Sequence, residues 1–142
     1  MTFTERYTAV GLVISLATFV TYWALIIFRA LTDGLPLVEV AWHGPLLWTL
    51  IIGGGLYGLV YLALWLRVRR EQHTDARDRE IARYAETAGA GLTGVAVLAT
   101  LLMLALDAPT FWTVTVLFTG SFLGSLASAG VTMAAYREGM PS

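Results

Sequence analysis

The chain lacks cysteine and lysine altogether and is poor in charge of either sign. With no cysteine among 142 residues, disulfides, thiolate catalysis and cysteine-ligated zinc or iron–sulfur centres are excluded. Charged residues make up only 13% of the chain, and the net charge of −1 gives no field that would attract nucleic acid. Hydrophobic residues make up 57%, well above the usual share in soluble domains, and the mean hydropathy is +0.69. The composition therefore predicts a membrane protein.

Four stretches without a charged residue are each long enough to cross a bilayer. A hydrocarbon core about 30 Å thick needs roughly 20 apolar helical residues. We therefore predict an all-α polytopic protein of the cell membrane, a single domain whose four transmembrane helices form an up-down-up-down bundle. The predicted spans cover about 7–28, 45–66, 87–106 and 110–135, and a charged hairpin over 67–86 joins the second span to the third.

The arginines predict how this bundle is oriented. All nine basic residues are arginine, and all but Arg29 lie before the first span, in the charged hairpin or after the last span. Cytoplasmic loops of membrane proteins carry an excess of basic residues. We therefore expect the N-terminus, the C-terminus and the charged hairpin to lie in the cytoplasm.

Ionisable side chains are absent from the middle of the predicted spans. Arg29 and Asp107 fall at the outer boundary, which disfavours a transporter driven by a buried carboxylate. The two histidines, His43 and His73, fall on opposite sides of the membrane and cannot share a metal ion or a haem. The serines of the fourth span have no histidine or lysine at their depth to act as a base. We expect no catalytic activity and no cofactor.

Paired glycines mark candidate helix contacts. Gly54 and Gly58 form a G-x-x-x-G pattern in the second span, and Gly120 and Gly124 form another in the fourth. Glycine lets helix backbones approach closely in lipid, where no hydrophobic force drives helices together. The pattern is typical of packing within one chain, and dimerisation through one of these faces is the alternative.

A polar seam runs along one side of the first span. It contains Thr8, Gly11, Ser15, Thr18, Tyr22 and Arg29, at spacings of three, four and seven residues. Such a seam could line a path or pocket that opens outward at Arg29. Alternatively it is a helix contact, with hydroxyls bonded to neighbouring helices or to their own i−4 carbonyls.

The charged hairpin contains a candidate partner surface, Arg77, Asp78, Arg79 and Glu80. We expect a helix that starts with Thr74 or Asp75 as its N-cap and continues unbroken into the third span, because acidic residues at its start complement the helix dipole. The segment is either a solvated helical stalk or a docking surface for a protein or for anionic headgroups.

The run Asp75-Ala76-Arg77-Asp78-Arg79-Glu80-Ile81, ahead of a Gly/Ala-rich third span, carries a resemblance. It resembles a domain-of-unknown-function family of small four-helix prokaryotic integral membrane proteins, over roughly residues 65–138. The resemblance implies a four-helix membrane protein with a charged cytoplasmic hairpin. It implies no catalytic or binding residues, because no activity is assigned to that family.

Two classes of function follow from these observations. The first is a non-enzymatic accessory or regulatory subunit, embedded in the lipid bilayer and acting through self-association or through a membrane or cytoplasmic partner. The second is a small oligomeric transporter or permeation unit that uses the polar seam. Water-exposed Ser15 and Thr18 would favour the second class.

Overall fold

The computed structural model describes residues 3–68 and 76–139, which form four long α-helices joined by short connections. No strand occurs in these two ranges, and each helix is long and apolar enough to cross a membrane. The prediction of an all-helical protein with four candidate spans is confirmed. The helices are α1 (Phe3–Asp33), α2 (His43–Val68), α3 (Ala76–Ala105) and α4 (Thr110–Glu138), with a single 3₁₀ turn at Leu37–Glu39 between α1 and α2.

The helices are longer than the predicted spans. α1 has 31 residues and α2 has 26, so at 1.5 Å per residue they extend about 46 Å and about 39 Å, against a hydrocarbon core of about 30 Å. α3 is helical from Ala76, within the predicted charged hairpin, and continues unbroken into the third span. The expected N-cap, Thr74 or Asp75, lies outside the described residues.

Left-handed residues end α1 and α3. Gly34 follows α1 with φ of +63°, and the Leu35 amide donates to the Ala30 carbonyl at 3.2 Å. Asp107 follows α3 with φ of +53°, and the Ala108 amide donates to the Met103 carbonyl at 2.9 Å. Both are Schellman-type helix ends, in which a bond across five residues satisfies a terminal carbonyl. α3 and α4 are thereby joined by a connection only a few residues long.

α1 lies between α2 and α4, and α4 lies between α1 and α3. The closest approach is between α3 and α4, because glycine and alanine meet there. A Cβ built on Gly124 would lie 2.2 Å from the Thr93 hydroxyl and 2.8 Å from the Gly89 carbonyl oxygen, and one on Gly120 would lie 2.0 Å from the Ala96 Cβ. No larger residue fits at these positions without moving the helices apart.

The main hydrophobic core lies at the end of the helices where α1 leads into α2. Its buried members are Tyr22 and Ile26 of α1, Val40 and Trp42 of the connection, and Phe111 of α4. Tyr22 and Ile26 are fully buried, and Val40 is 2% exposed. The connection between α1 and α2 therefore packs against the ends of α1 and α4, and it closes this end of their interface.

Candidate functional site

The structure places the residues of the predicted polar seam in different surroundings. Ser15 and Thr18 line a cavity of about 350 Å³ between α1, α2 and α4. Tyr22 is buried in the hydrophobic core instead. Arg29 is exposed at the far end of α1, where its guanidinium Nη1 donates to the Ala41 carbonyl at 2.9 Å. The cavity therefore adjoins only the first part of the seam, and the core closes the seam at Tyr22.

A second polar stripe, on α4, faces the seam. Ser121, Ser125, Ser128 and Thr132 follow one another at spacings of four, three and four residues, so they share one side of α4. Ser121 and Ser125 line the 350 Å³ cavity opposite Ser15 and Thr18. From the sequence alone, the serines of this span were weighed only as nucleophiles. Their spacing along one side of the helix could have identified them as a second polar wall of the cavity.

A smaller cavity of about 150 Å³ adjoins the larger one and is more polar. Tyr57 of α2 and Ser125 of α4 line both cavities. The other residues around the smaller cavity are Tyr7, Thr8, Gly11, Leu12, Ser128, Ala129 and Thr132. The Tyr7 and Tyr57 hydroxyls are hydrogen-bonded to each other, and the Tyr61 ring packs edge-on against Tyr7 at 5.4 Å. The two cavities form one groove between α1, α2 and α4, and hydroxyl groups dominate the end of it near Tyr7.

Aromatic rings form the apolar wall of the larger cavity. Phe19 of α1 stacks on Phe122 of α4 with ring centroids 4.1 Å apart and planes within 6°. Phe118 stacks on Phe19 at 5.8 Å and contacts the Tyr22 ring at 4.8 Å. These rings connect the cavity wall to the core at Tyr22. The groove is thus polar towards Tyr7 and aromatic towards Tyr22.

Within residues 3–68 and 76–139, the buried Thr119 hydroxyl has no hydrogen-bond partner, and the buried Tyr22 and Thr115 hydroxyls lie close to each other without a hydrogen bond of ordinary geometry. Other threonines of the spans bond the carbonyl four residues back, as Thr18 does to Ile14 at 2.8 Å and Thr100 does to Ala96 at 2.7 Å. An unpaired hydroxyl in an apolar interior costs about 1–3 kcal/mol. Of these three residues, only Tyr22 belongs to the predicted seam, and no sequence pattern distinguishes Thr115 or Thr119 from the other threonines of the spans.

The two predicted glycine pairs have different surroundings. Gly120 and Gly124 pack closely against α3, as described above. A Cβ built on Gly54 or Gly58 would have no neighbouring atom within 4 Å. α2 instead contacts α1 through Gly53, whose built Cβ lies 2.4 Å from the Thr18 hydroxyl. Within the described residues, the Gly54–Gly58 face has no packing partner, and Gly54 also borders the 350 Å³ cavity.

The four residues of the predicted partner surface do not share one environment. Asp78 is half-buried, and its Oδ1 accepts a hydrogen bond of 2.7 Å from the Tyr136 hydroxyl of α4. Arg77, Arg79 and Glu80 are exposed. Asp78 therefore links the ends of α3 and α4, and the surface open to a partner is formed by its three charged neighbours.

In residues 3–68 and 76–139, no three His, Asp or Glu side chains lie close enough together to hold a metal ion. Comparison with models of known families, with curated proteins and with solved structures finds no match to this chain. The resemblance based on residues 75–81 stays a prediction. The groups that the cavities and the helix faces offer for contact are hydroxyls, aromatic rings and closely packing glycines.

Proposed function

We propose that the chain is a non-enzymatic protein of the cell membrane that acts as an accessory or regulatory subunit, by associating with a second copy or with another membrane protein. The four helices run up-down-up-down, with both termini and the charged hairpin in the cytoplasm. The distribution of arginine supports this orientation, because all but Arg29 of the nine fall on the cytoplasmic side.

The uncovered Gly54–Gly58 face of α2 is the observation that supports association. Gly54, Gly55 and Gly58 would all accept a Cβ without meeting another atom. Neighbouring Leu47 and Ile51 are 58% and 62% exposed. Small residues are enriched where transmembrane helices approach closely, because packing and dispersion replace the hydrophobic force in lipid. On α4 the same spacing of glycines is used for such an approach to α3.

Cysteine crosslinking in native membranes tests this proposal, since the chain has no cysteine of its own. Gly58→Cys should give a disulfide-linked dimer on mild oxidation, because a disulfide needs Cα atoms about 4.4–6.8 Å apart. Leu59→Cys is the control, as Leu59 is 67% exposed elsewhere on the same helix. Adding Gly54→Leu to Gly58→Cys should abolish the dimer.

A photocrosslinker at position 58 separates the two kinds of partner. An adduct with a different membrane polypeptide, in place of the dimer, would assign the face to a heterologous subunit. Equal dimer yields from positions 58 and 59 would contradict the proposal, and so would the absence of any adduct from position 58.

The exposed charges of α3 suit a cytoplasmic partner of the same assembly. Arg77 and Glu80 lie three residues apart, on neighbouring parts of one face, and arginine is enriched among residues that contribute most to binding. Photocrosslinkers at positions 77 and 80 should give adducts that a crosslinker at Glu86 does not, because Glu86 lies on the opposite side of the helix. If neither position 77 nor position 80 gives a specific adduct, the segment is a solvated stalk and not a docking surface.

A small transporter or permeation unit is the second proposed function, and the cavity lined by Ser15 and Thr18 favours it. In a water-filled path, single cysteines at these two positions would react with a charged methanethiosulfonate reagent in native membranes. Val20→Cys, at a position 56% exposed on the same helix, should stay unreactive as a lipid-facing control. Equal lack of reaction at all three positions would contradict a hydrated path.

A further inference from the structure

The groove between α1, α2 and α4 consists of two adjoining cavities of opposite chemical character. The smaller, of about 150 Å³, is bordered by five hydroxyl-bearing side chains besides Ser125. The larger, of about 350 Å³, has mostly apolar walls from Ile14, Leu50 and aromatic rings, with the hydroxyls of Ser15, Thr18 and Ser121 set among them. The two share Tyr57 and Ser125. A molecule that occupied both would place a polar end among hydroxyls and an apolar end beside phenylalanines.

The size of the groove matches a small ligand. Ligand sites in proteins commonly measure about 300–1,000 Å³, with mostly apolar walls and a few polar groups that fix orientation. The larger cavity alone, at about 350 Å³, falls in this range. The smaller cavity, at about 150 Å³, has space for a head of a few non-hydrogen atoms, since one water takes about 30 Å³.

The hydroxyls of the smaller cavity define the head. Among residues 3–68 and 76–139, no charged side chain borders either cavity, so an ionised head would be desolvated without a counter-charge from these residues, which is strongly unfavourable. Hydroxyls both donate and accept hydrogen bonds. Thr132 already donates to the Ser128 carbonyl at 2.9 Å and Tyr7 bonds Tyr57, which leaves Thr8, Ser125 and Ser128 as the main groups for a ligand.

We propose that this groove binds an uncharged amphiphile whose hydroxyl- or amide-bearing head lies against Thr8, Ser125 and Ser128. Its single hydrocarbon chain extends past Ser15 to the stacked rings of Phe19 and Phe122, and the buried core at Tyr22 ends the groove. The inference deepens the second proposed function, because it names a ligand class for the same cavity, but it requires binding only and no transport.

Photocrosslinking of the full-length chain in native membranes tests the proposal. The probe is a monoacylglycerol whose 12-carbon chain carries a diazirine near its methyl end, and the adducts are located by mass spectrometry. We expect adducts close to Phe19 and Phe122. Unlabelled monolaurin should compete, whereas laurate, with the same chain and a charged head, should need at least about ten times the concentration.

Variants of the head cavity supply the second measurement. Ser125→Ala combined with Ser128→Ala should raise the half-inhibitory concentration of monolaurin by about three- to tenfold, the loss of one or two net hydrogen bonds. Thr87→Ala is the matched control, because Thr87 is exposed on α3 and its hydroxyl donates to the Arg83 carbonyl. Ser125 is exposed, and Ser128 lies beside Gly89 of α3 through its Cβ atom, which alanine keeps, so the double variant retains the contacts of the α3–α4 interface.

Each of the following three results would overturn the proposal. Equal competition by monolaurin, laurate and dodecane would mean that the groove takes up hydrocarbon chains without recognising the polar head group. Adducts spread over α3 and over the side of α2 that faces away from the groove would place the probe in bulk lipid. An unchanged half-inhibitory concentration in the double serine variant would remove the head site. Failure of the thiol-reagent experiment at Ser15 and Thr18 would reject transport and leave this binding test unaffected.

Discussion

Replacing Gly124 by alanine should destabilise the α3–α4 pair, and the structure supplies a matched control on the same helix. The added methyl group would lie 2.2 Å from the Thr93 hydroxyl and 2.8 Å from the Gly89 carbonyl oxygen. The Thr93 side chain can rotate, although its hydroxyl would then lose its 3.1 Å bond to the Gly89 carbonyl. The Gly89 backbone can move only with the whole of α3. One methyl group therefore has to separate two helices.

The magnitude follows from a comparison with Gly130→Ala. Gly130 lies in α4 as well, and a Cβ there would meet no atom within 4 Å. Both variants gain the same intrinsic preference of alanine over glycine in a helix, about 1 kcal/mol, so this contribution cancels in the difference. What remains is the overpacking at Gly124, which in well-packed sites costs about 1–3 kcal/mol. Gly124→Ala should thus be less stable than Gly130→Ala by that amount.

Unfolding in mixed micelles measures this difference. The purified variants are titrated from a mild detergent into dodecyl sulfate, and helix content and tryptophan fluorescence are followed together. The midpoint for Gly124→Ala should fall below that for Gly130→Ala, and Gly124→Leu should lower it further. Leu117→Ile, at a position 38% exposed on α4, should leave it almost unchanged. Equal midpoints for the two alanine variants would refute the close approach of α3 and α4.

Two further predictions concern the ends of the helices. A single cysteine at Thr74 should be labelled by an impermeant reagent only from the cytoplasmic side and one at Gly34 only from outside, since the basic residues favour the cytoplasm; the reverse pattern would overturn the orientation. Tyr136→Phe should lower the free energy of unfolding by about 1 kcal/mol, because it removes the donor to Asp78. Tyr84→Phe, at a position 49% exposed, should be close to neutral, and equal effects of the two changes would rule out a role for the bond.

The spans could be predicted from the sequence because the information is one-dimensional. An uncharged run of about 20 residues is sufficient to predict a membrane-crossing helix, and each predicted run coincides with one of the four helices, except that Leu106 lies just beyond the end of α3. The glycine spacing also predicted where helices can approach closely. It could not distinguish Gly120–Gly124, which packs on α3, from Gly54–Gly58, which has no neighbour, since both pairs have the same spacing and only the tertiary arrangement separates them.

Tyr22 lies in the hydrophobic core and does not border the cavities, for a geometric reason. A stripe spaced by seven residues does not stay on one side of a straight α-helix, because it drifts by about 20° per heptad. Over the two heptads from Thr8 to Tyr22 the drift is about 40°, and Tyr22 is directed into the core with Phe118 and Phe111. The spacing alone therefore does not determine how far along α1 the seam borders the groove.

The α4 stripe could have been found from the same rule. Ser121, Ser125 and Ser128 are spaced as residues of one helix face, yet a serine without a nearby base attracts no catalytic interpretation. Their meaning comes from the facing positions Ser15 and Thr18 of α1. A polar side chain in a span gains significance when a second polar stripe faces it, and that depends on which helices are neighbours.

The groove exists because α2 packs mainly against α1. Tyr57 fits against Gly11, whose built Cβ would lie 3.0 Å from the tyrosine ring, and Thr18 fits against Gly53. These two contacts hold α2 beside α1 and leave it apart from α4. In water the exposed walls would be driven together, but in lipid no such force acts between helices. The opening can therefore persist, and its hydroxyl-lined end is unfavourable for an acyl chain. Such a groove is best filled by a molecule that is polar at one end only, which is the physical basis of the proposed amphiphile site.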